Sequence, residues 1–268
     1  MEPLFRLENV SFDYDGIPAL RALSLSIAQG ERIALVGANG SGKSTLLRLL
    51  NGLSLPTSGS FDFQGESVTQ DKFDDPAFNS NFRRAVALVF QNPDVQLFNA
   101  TVFDEIAFGP LQLGLTKEEV LQAVSRTISN MKLEGIRDRP PYRLSGGEKK
   151  KVALASVLVM DPSVLLFDEP TSALDPRSQS RLIELVAEWK TPSKTVITAT
   201  HQLDLVEELA DTVYVMDSGS IIDSGTPATI LSNTDLLIKA NLIHDHSHKH
   251  GTKTHAHPHR HSHSHEKL

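Results

Sequence analysis

Cysteine is absent from the 268 residues. That excludes a disulfide framework and every thiolate metal site, and it suits a reducing compartment. Long apolar runs are missing as well. Charged residues interrupt each one, as Lys151 and Asp161 do on either side of Val152 to Met160, so none reaches the roughly 18 residues of a membrane helix. The opening Met1-Glu-Pro-Leu-Phe-Arg-Leu-Glu-Asn has no basic region leading into an apolar run, and no signal peptide is expected. Any membrane role therefore has to come through a partner. Positive charge is in deficit: 26 Lys and Arg stand against 33 Asp and Glu, a formal net charge of -7, so no general basic surface invites nucleic acid. The apolar share, 40%, is diluted by a histidine-rich end. The rest can still build the core of one large α/β domain.

Short apolar runs alternate with helical patterns along the chain. Strands are expected at 4–10, 22–28 and 31–36, the first two joining 60–63 in a small antiparallel sheet. A helix is expected from Lys43 to about Leu50, and a buried strand over Val86 to Phe90 that Pro93 stops. Helices are expected over 101–113 and 116–131, the second opened by Thr116 with Glu119 three residues on, a capping box. Further helices are expected from Gly147 to Met160, over 177–189 and over 203–210, with strands at 164–167, 195–199, 212–217 and 220–223. Alternation of this kind implies an α/β fold with a mainly parallel core sheet covered on both faces. A short helical stretch is expected over 232–243, and from 244 to 268 the sequence is low-complexity and reads as disordered.

Gly37-Ala-Asn39-Gly40-Ser41-Gly42-Lys43-Ser44-Thr45 fits the phosphate-loop pattern, with an apolar strand before it and a helix after it. Its glycines let successive N–H groups turn inward around a phosphate, and the helix N-terminus adds partial positive charge. Lys43 can reach the β- and γ-phosphates, and the Ser44 hydroxyl can ligate Mg²⁺. The pattern means nucleotide without naming an activity. No Asn-Lys-x-Asp guanine signature is present.

Two further motifs narrow the choice. Val164-Leu-Leu-Phe-Asp168-Glu169 ends an apolar strand in two acids. Alone, such a pair is often a solvated loop start. Behind a phosphate loop, Asp168 can enter the Mg²⁺ shell and Glu169 can act as general base toward water. Leu144-Ser145-Gly146-Gly147-Glu148 precedes a helix; it offers hydroxyl and N–H donors to another phosphate, or is simply an N-cap at Ser145.

Together these motifs resemble the ATP-binding cassette (ABC) family over about residues 4–231, with LSGGE the most specific mark. The resemblance implies a P-loop ATPase domain at 1–231 with a small N-terminal β subdomain and a helical signature subdomain at about 92–160. It implies that Tyr14 stacks on adenine, where the plain alternative is a sheet aromatic. It implies that Gln91 touches Mg²⁺ or the water and senses a membrane partner, that His201 contacts the γ-phosphate, and that Ser172-Ala-Leu-Asp175 meets the opposite subunit. In that family two domains face head to tail, so ATP at Lys43 of one copy is closed over by Ser145 and Gly147 of the other. A homodimer is the preferred expectation; a related second ATPase is the alternative. Lys151 departs from the family's usual arginine, keeping charge but losing the planar fork.

Gln91-Asn-Pro-Asp-Val-Gln96-Leu-Phe98 and Thr101 to Gly114 look like the ATPases of energy-coupling factor importers of vitamins and transition metals. The likeness implies that a transmembrane energy-coupling subunit docks near 91–108, that a substrate-binding membrane subunit is reached only indirectly, and that the chain lies peripherally on the cytoplasmic face. Phe98, Val102, Phe103 and Phe108 would supply apolar contact there, or pack inside the helical subdomain, while Asp94, Asp104 and Glu105 would meet basic groups.

His244, His246, His248 and His250 alternate along the end of the chain, as do His255, His257, His259, His261, His263 and His265. Neutral imidazoles suit Ni²⁺, Co²⁺, Zn²⁺ and Cu²⁺. Interruption by Ser, Lys, Thr, Ala and Pro argues against a purification tag, and a merely solvated tail is the other alternative. With the family resemblance, the tail points to nickel or cobalt uptake. A vitamin cargo, a soluble ABC ATPase of DNA repair or translation, and a metal-storage protein are the rivals; no long coiled coil or second cassette supports the soluble one.

Overall fold

The computed structural model describes residues 2–172, 174–189, 191–250 and 253–260, and only the backbone for Arg181, Leu185, 244–250 and 253–260. β1 (Phe5–Tyr14) and β2 (Ile17–Ile27) form a hairpin closed by Asp15-Gly16. Both turn residues take positive φ, 50° and 84°, the geometry whose twist matches paired strands and which Asp-Gly readily adopts. β3 (Arg32–Val36) runs into α1 (Lys43–Leu50). β4 (Ser58–Phe63) and β5 (Glu66–Ser67) return to the hairpin and complete an antiparallel sheet in the order β2-β1-β4-β5.

Two short helices, α2 (Gln70–Asp74) and α3 (Pro76–Ala85), fill the stretch that has no clear sequence pattern. Asp75 caps α3 by accepting from the Ala77 N–H, and Pro76 takes the first helical position, where its missing N–H costs nothing. β6 (Val86–Val89) follows, one residue shorter than its apolar run. The helical subdomain then comprises α4 (Val102–Gln112), α5 (Lys117–Met131) and α6 (Gly146–Leu158), which share their own apolar core around Val102, Ile106, Val124 and Val152. The Thr116–Glu119 capping box opens α5 as expected.

The chain re-enters the main body through β7 (Val164–Asp168), α7 (Pro176–Glu188) and β8 (Thr195–Thr200). The expected helix over 203–210 divides into a 3-10 turn at Leu203–Leu205 and α8 (Val206–Leu209). β9 (Thr212–Asp217) and β10 (Ser220–Gly225) close a six-stranded sheet in the order β10-β9-β3-β8-β7-β6. Only the β9–β10 pairing is antiparallel. Every residue of β3, β7 and β8 is buried, which is why Ile33 to Val36 and Val164 to Phe167 read as apolar runs rather than alternating ones.

One apolar cluster joins the two sheets, with Phe5 and Leu7 of β1 meeting Ile33 and Leu35 of β3 and Leu46 and Leu50 of α1. After β10, α9 (Pro227–Ser232) and α10 (Thr234–Lys239) put Ile230, Leu236 and Leu237 into a cluster with Ala34 and Val36 of β3. The stretch 232–243 therefore shares the core of the central strand. Beyond it the backbone of β11 (Ile243–His250) pairs antiparallel with β12 (Lys253–Arg260). Disorder is the sequence expectation for 244–268, whereas the described backbone at 244–250 and 253–260 forms these paired strands; the histidine side chains that would hold metal, and residues 251, 252 and 261–268, lie outside the description. No helix among the described residues is long and apolar enough to cross a membrane.

Phe82 anchors α3 against the β subdomain, with ring centroids 5.0 Å from Phe63 and 5.1 Å from Phe73. Its side chain is fully buried. Phe82→Ala is expected to lower the unfolding free energy by about 3–5 kcal/mol, the sum of lost transfer energy and a cavity. A urea midpoint equal to wild type would show that this aromatic cluster does not hold the subdomain.

Candidate active site

β3, β8 and β7 lie side by side and parallel, so their C-terminal ends open on one edge of the sheet. The loop 37–42 leaves β3 there, Asp168 and Glu169 leave β7, and His201 follows β8. Residues far apart in sequence thus meet at a single edge, the usual ligand position in an open parallel sheet.

The loop has little room for side chains. A Cβ at Gly37 would lie 2.4 Å from the Met216 carbonyl oxygen, and one at Gly42, where φ is 103°, would lie 2.9 Å from that of Ala19. Gly42 caps α1 without a side-chain acceptor, so the first-turn N–H groups stay available to an anion. Ser41 Oγ is buried with no partner at the centre of the loop. Lys43 Nζ donates to the Gly37 and Ala38 carbonyls at 2.7 and 3.0 Å, which uses two of its three protons. This donor set fits a polyphosphate.

Lys43, Asp168 and Glu169 are only 6%, 9% and 5% exposed. Burial lowers the pKa of Lys43, while the charges of Glu169 and Asp168 push it back up. Burial raises the pKa of Asp168; a hydrogen bond from Ser44 opposes that, and the Glu169 charge adds to it. Ser44 Oγ donates to Asp168 Oδ1 at 2.9 Å. A hydroxyl and a carboxylate so placed suit a hard divalent cation such as Mg²⁺.

Glu169 sits in the left-handed region, φ 47°, a strained conformation that recurs at functional sites. Its N–H donates to the Ala199 carbonyl at 2.9 Å. Its Oε1 lies 2.8 Å from His201 Nδ1, and its Oε2 accepts the His201 backbone N–H at 3.4 Å. Five expected residues, Lys43, Ser44, Asp168, Glu169 and His201, are therefore linked by bonds or charge.

Other expected residues stand apart from this group. Ser145 N-caps α6 and completes a capping box with Glu148, whose Oε2 accepts from Ser145 Oγ at 2.7 Å and from Ser145 N at 2.8 Å. Those two bonds hold the Glu148 carboxyl below its usual range. Ser145 and Gly146 are exposed, and no hydrogen bond among the described residues joins Ser145, Gly146 or Gly147 to the loop 37–45. Asp175 is exposed and caps the start of α7 through Ser178, accepting from its N–H at 3.1 Å and its hydroxyl at 2.6 Å. Gln91 is exposed just beyond β6. The Tyr14 ring, 41% exposed, meets Phe12 edge to face at 4.9 Å.

The apolar residues of 91–108 divide between the two expected readings, and the acids depart from theirs. Phe98 and Phe108 are exposed and touch at 5.0 Å, whereas Val102 is buried and Phe103 lies under the Arg137 guanidinium at 4.7 Å. Glu105 is buried, and its Oε2 accepts the N–H groups of Phe98 and Asn99 at 2.9 and 2.8 Å, so it shapes the loop instead of facing out. Asp94 pairs with Lys149 at 2.6 Å, and Asp104 accepts from the Thr101 hydroxyl at 2.7 Å. Sequence reading also missed Gln96, whose Nε2 donates to the Ala153 carbonyl at 2.8 Å and ties this loop to α6. It missed Lys150 as well, which reaches the segment after Glu169. Neither carries a local sequence signal, because each partner is distant along the chain.

Comparison with known proteins agrees with this geometry. The sequence pattern of the ABC transporter family matches residues 20–172. The chain is similar to the nickel import ATP-binding protein NikO of Rhodobacter capsulatus, 50% identical over 246 residues that cover 91% of this chain and 97% of that one. It is similar to the energy-coupling factor transporter ATP-binding protein EcfA of Methanothermobacter thermautotrophicus, 39% identical over 240 residues, or 89% and 76% of the two chains. A solved dimeric ATP-binding cassette in a post-hydrolysis state, bound to ADP and Pi, superposes with a TM-score of 0.74 at 25% identity, covering 83% of this chain and 98% of that one.

The buried acids make a pH-dependent prediction. Because the pKa of Asp168 is raised in the folded chain, stability is lost as pH climbs from the unfolded carboxylate value through the folded one. Asp168→Asn keeps an oxygen for Ser44 and removes the charge. Without divalent cation at about pH 8, it is expected to raise the melting temperature by about 2–4 °C, on the order of 1 kcal/mol for a chain of this length. A lower melting temperature would mean that Ser44 and Lys43 outweigh burial.

Proposed function

The chain belongs to the ABC transporter family, as an ATPase subunit of an importer, and we propose that it energises uptake of nickel, or failing that cobalt, through an energy-coupling factor type complex. The observation that carries the catalytic reading is the bonded series Ser44–Asp168 and Glu169–His201 beside the desolvated Lys43. Lys43 and the loop N–H groups would hold the β- and γ-phosphates, with Gly37, Asn39, Gly40, Ser41, Gly42 and Thr45 shaping the cradle. Mg²⁺, held by Ser44, Asp168 and Gln91, would neutralise charge on the transferring phosphoryl oxygens.

Glu169 takes a proton from the attacking water. The new P–O bond forms as the bond from the γ-phosphorus to the bridging oxygen breaks, leaving ADP and phosphate. His201, bonded to Glu169 through Nδ1, fixes that carboxylate, and its ring would stand beside the γ-phosphate. Tyr14 supplies an exposed ring for adenine.

The exposed cap at Ser145, unconnected to the loop of its own chain, favours a second copy as the owner of the phosphate it grips. Asp175 would lie at the same seam. The dimeric relative holding ADP and Pi supports the arrangement. A homodimer is preferred, because each motif position here carries a chemically competent residue. Val95, Phe98, Phe108 and Leu111, all exposed, favour docking of a transmembrane subunit beside Gln91, at the cytoplasmic face of the membrane. The substrate-binding membrane subunit is reached through it.

Two observations favour the metal cargo over a vitamin: the extent of the NikO likeness, and the histidines at 244, 246, 248, 250, 255, 257, 259, 261, 263 and 265. These would hold Ni²⁺, Co²⁺ or Zn²⁺ as neutral imidazoles.

Glu169→Gln is expected to slow ATP turnover by about 10²–10⁴, the loss typical of a missing general base, and to accumulate an ATP-bound dimer in size-exclusion runs. Turnover near wild type would remove Glu169 from the role. For the tail, calorimetry with Ni²⁺ compares the full chain with one ending at Ile243, the last buried residue of the β3 cluster. Binding should vanish on truncation, and should be lost in the full chain near or below about pH 6 as imidazoles with a reference pKa of about 6.5 protonate. Equal binding by both chains would reject the tail as the metal site.

A further inference from the structure

We infer that Lys150 is a positioning residue that carries movement of α6, the helix behind Ser145, to the segment directly after Glu169. The inference rests on the role proposed above for Glu169. Lys150 Nζ donates to the Pro170 carbonyl at 3.2 Å, to the Ser172 carbonyl, and to Ser172 Oγ at 3.5 Å. Three acceptors match the three protons of an ammonium, and all belong to the turn that follows Glu169. Thr171, between them, is fully buried, and its hydroxyl donates to Gln202 Oε1 at 2.7 Å. Gln202 adjoins His201, which holds Glu169. Lys150 therefore joins the helix capped by Ser145 to the turn after Glu169, and the Thr171–Gln202 bond carries that turn on to the segment holding His201.

Apolar packing holds α6 against the strand that precedes Glu169, through Leu154 and Phe167, but the turn after Glu169 is reached across a gap. A cavity of about 230 Å³, lined among others by Gly147, Lys150, Leu154, Pro170, Leu174 and Ser178, lies between α6 and the 170–178 segment. A Cβ on Gly147 would meet only Ser178 Oγ, at 3.8 Å. Apolar contact fixes two elements in one relation, whereas a long flexible side chain across a cavity lets them shift while staying tied. Half-buried among carbonyls, Lys150 has its pKa lowered by desolvation, so the chain spends stability to keep a charge there.

The neighbouring turn extends the link outward. Lys149 pairs with Asp94 at 2.6 Å, and Gln96 donates to the Ala153 carbonyl and Ser156 Oγ. α6 thus has polar ties to the exposed 91–108 face on one side and to the Glu169 turn on the other. Such a contiguous physical link is able to couple the two sites. The Lys150 ammonium bonds only the turn after Glu169 among the described residues, and it acts through the position of Glu169.

The test uses the full chain in Lys150→Met, Lys150→Gln, Lys150→Arg and Glu169→Gln forms. ATP turnover, MgATP affinity and melting temperature are measured for each. Lys150→Met should lower kcat about ten-fold or more while the MgATP Kd stays within about two-fold, the pattern of a group that acts only in the transition state. Lys150→Arg, which keeps charge and donors, should recover at least about a third of wild-type kcat. Lys150→Gln replaces the Met variant, under the same criteria, if the latter does not fold. A wild-type kcat in the Met variant, a kcat loss matched by loss of MgATP binding, or an Arg variant no better than Met overturns the inference. A silent Lys150→Met beside an inactive Glu169→Gln rejects Lys150 alone. Wild-type turnover in Glu169→Gln rejects the site reading and the inference with it.

Discussion

A buried ammonium facing two buried carboxylates, at the shared edge of β3, β8 and β7, is the arrangement on which the rest depends. Lys43 is withdrawn from water by the turns of its own loop and held by two carbonyl oxygens. Desolvation opposes its charge; Glu169 and Asp168 sustain it. Neither sign is comfortable without the other. The edge thus has strong local charge that an added phosphate and cation would balance, and parallel strands are what bring the three groups to one side.

Glu169 shows how the fold delivers chemistry from that edge. The chain leaves β7 in a strained left-handed turn, and the strain is held by backbone bonding to Ala199 and side-chain bonding to His201. Beyond it, the 170–172 segment is tied to α6 and to Gln202 by polar contacts across a cavity. A buried strand end and a turn held by polar bonds therefore meet at one residue.

The helical subdomain follows the same division. Its own core around Val102, Ile106 and Val124 is apolar, while polar side chains make the loop-to-helix ties through Gln96 and Lys149. Glu105 is the instructive case. As an acid near an expected docking face it looks like a surface charge. Buried, it instead accepts two backbone N–H groups and sets the loop that exposes Phe98.

Much was legible before any coordinates. The Gly37–Thr45 loop, the acids after Val164-Leu-Leu-Phe and the LSGGE turn depend on local residue chemistry and short spacing, so one-dimensional reading finds them. The Thr116–Glu119 capping box is legible for the same reason, whereas the strands expected at 4–10 and 22–28 extend to Tyr14 and back to Ile17 around the Asp15-Gly16 turn. Only the tertiary structure decided what each group meets: that Glu169 bonds His201, that Asp168 takes the Ser44 hydroxyl, that Lys150 reaches across to Pro170 and Ser172, and that Ser145 lies apart from its own phosphate loop. Those outcomes follow from strand order and subdomain placement, in which β3 pairs with residues 196–200 and 212–215 rather than with its neighbours in sequence. Spacing along a chain encodes local geometry, and partners so far apart in sequence are chosen by burial in a shared core.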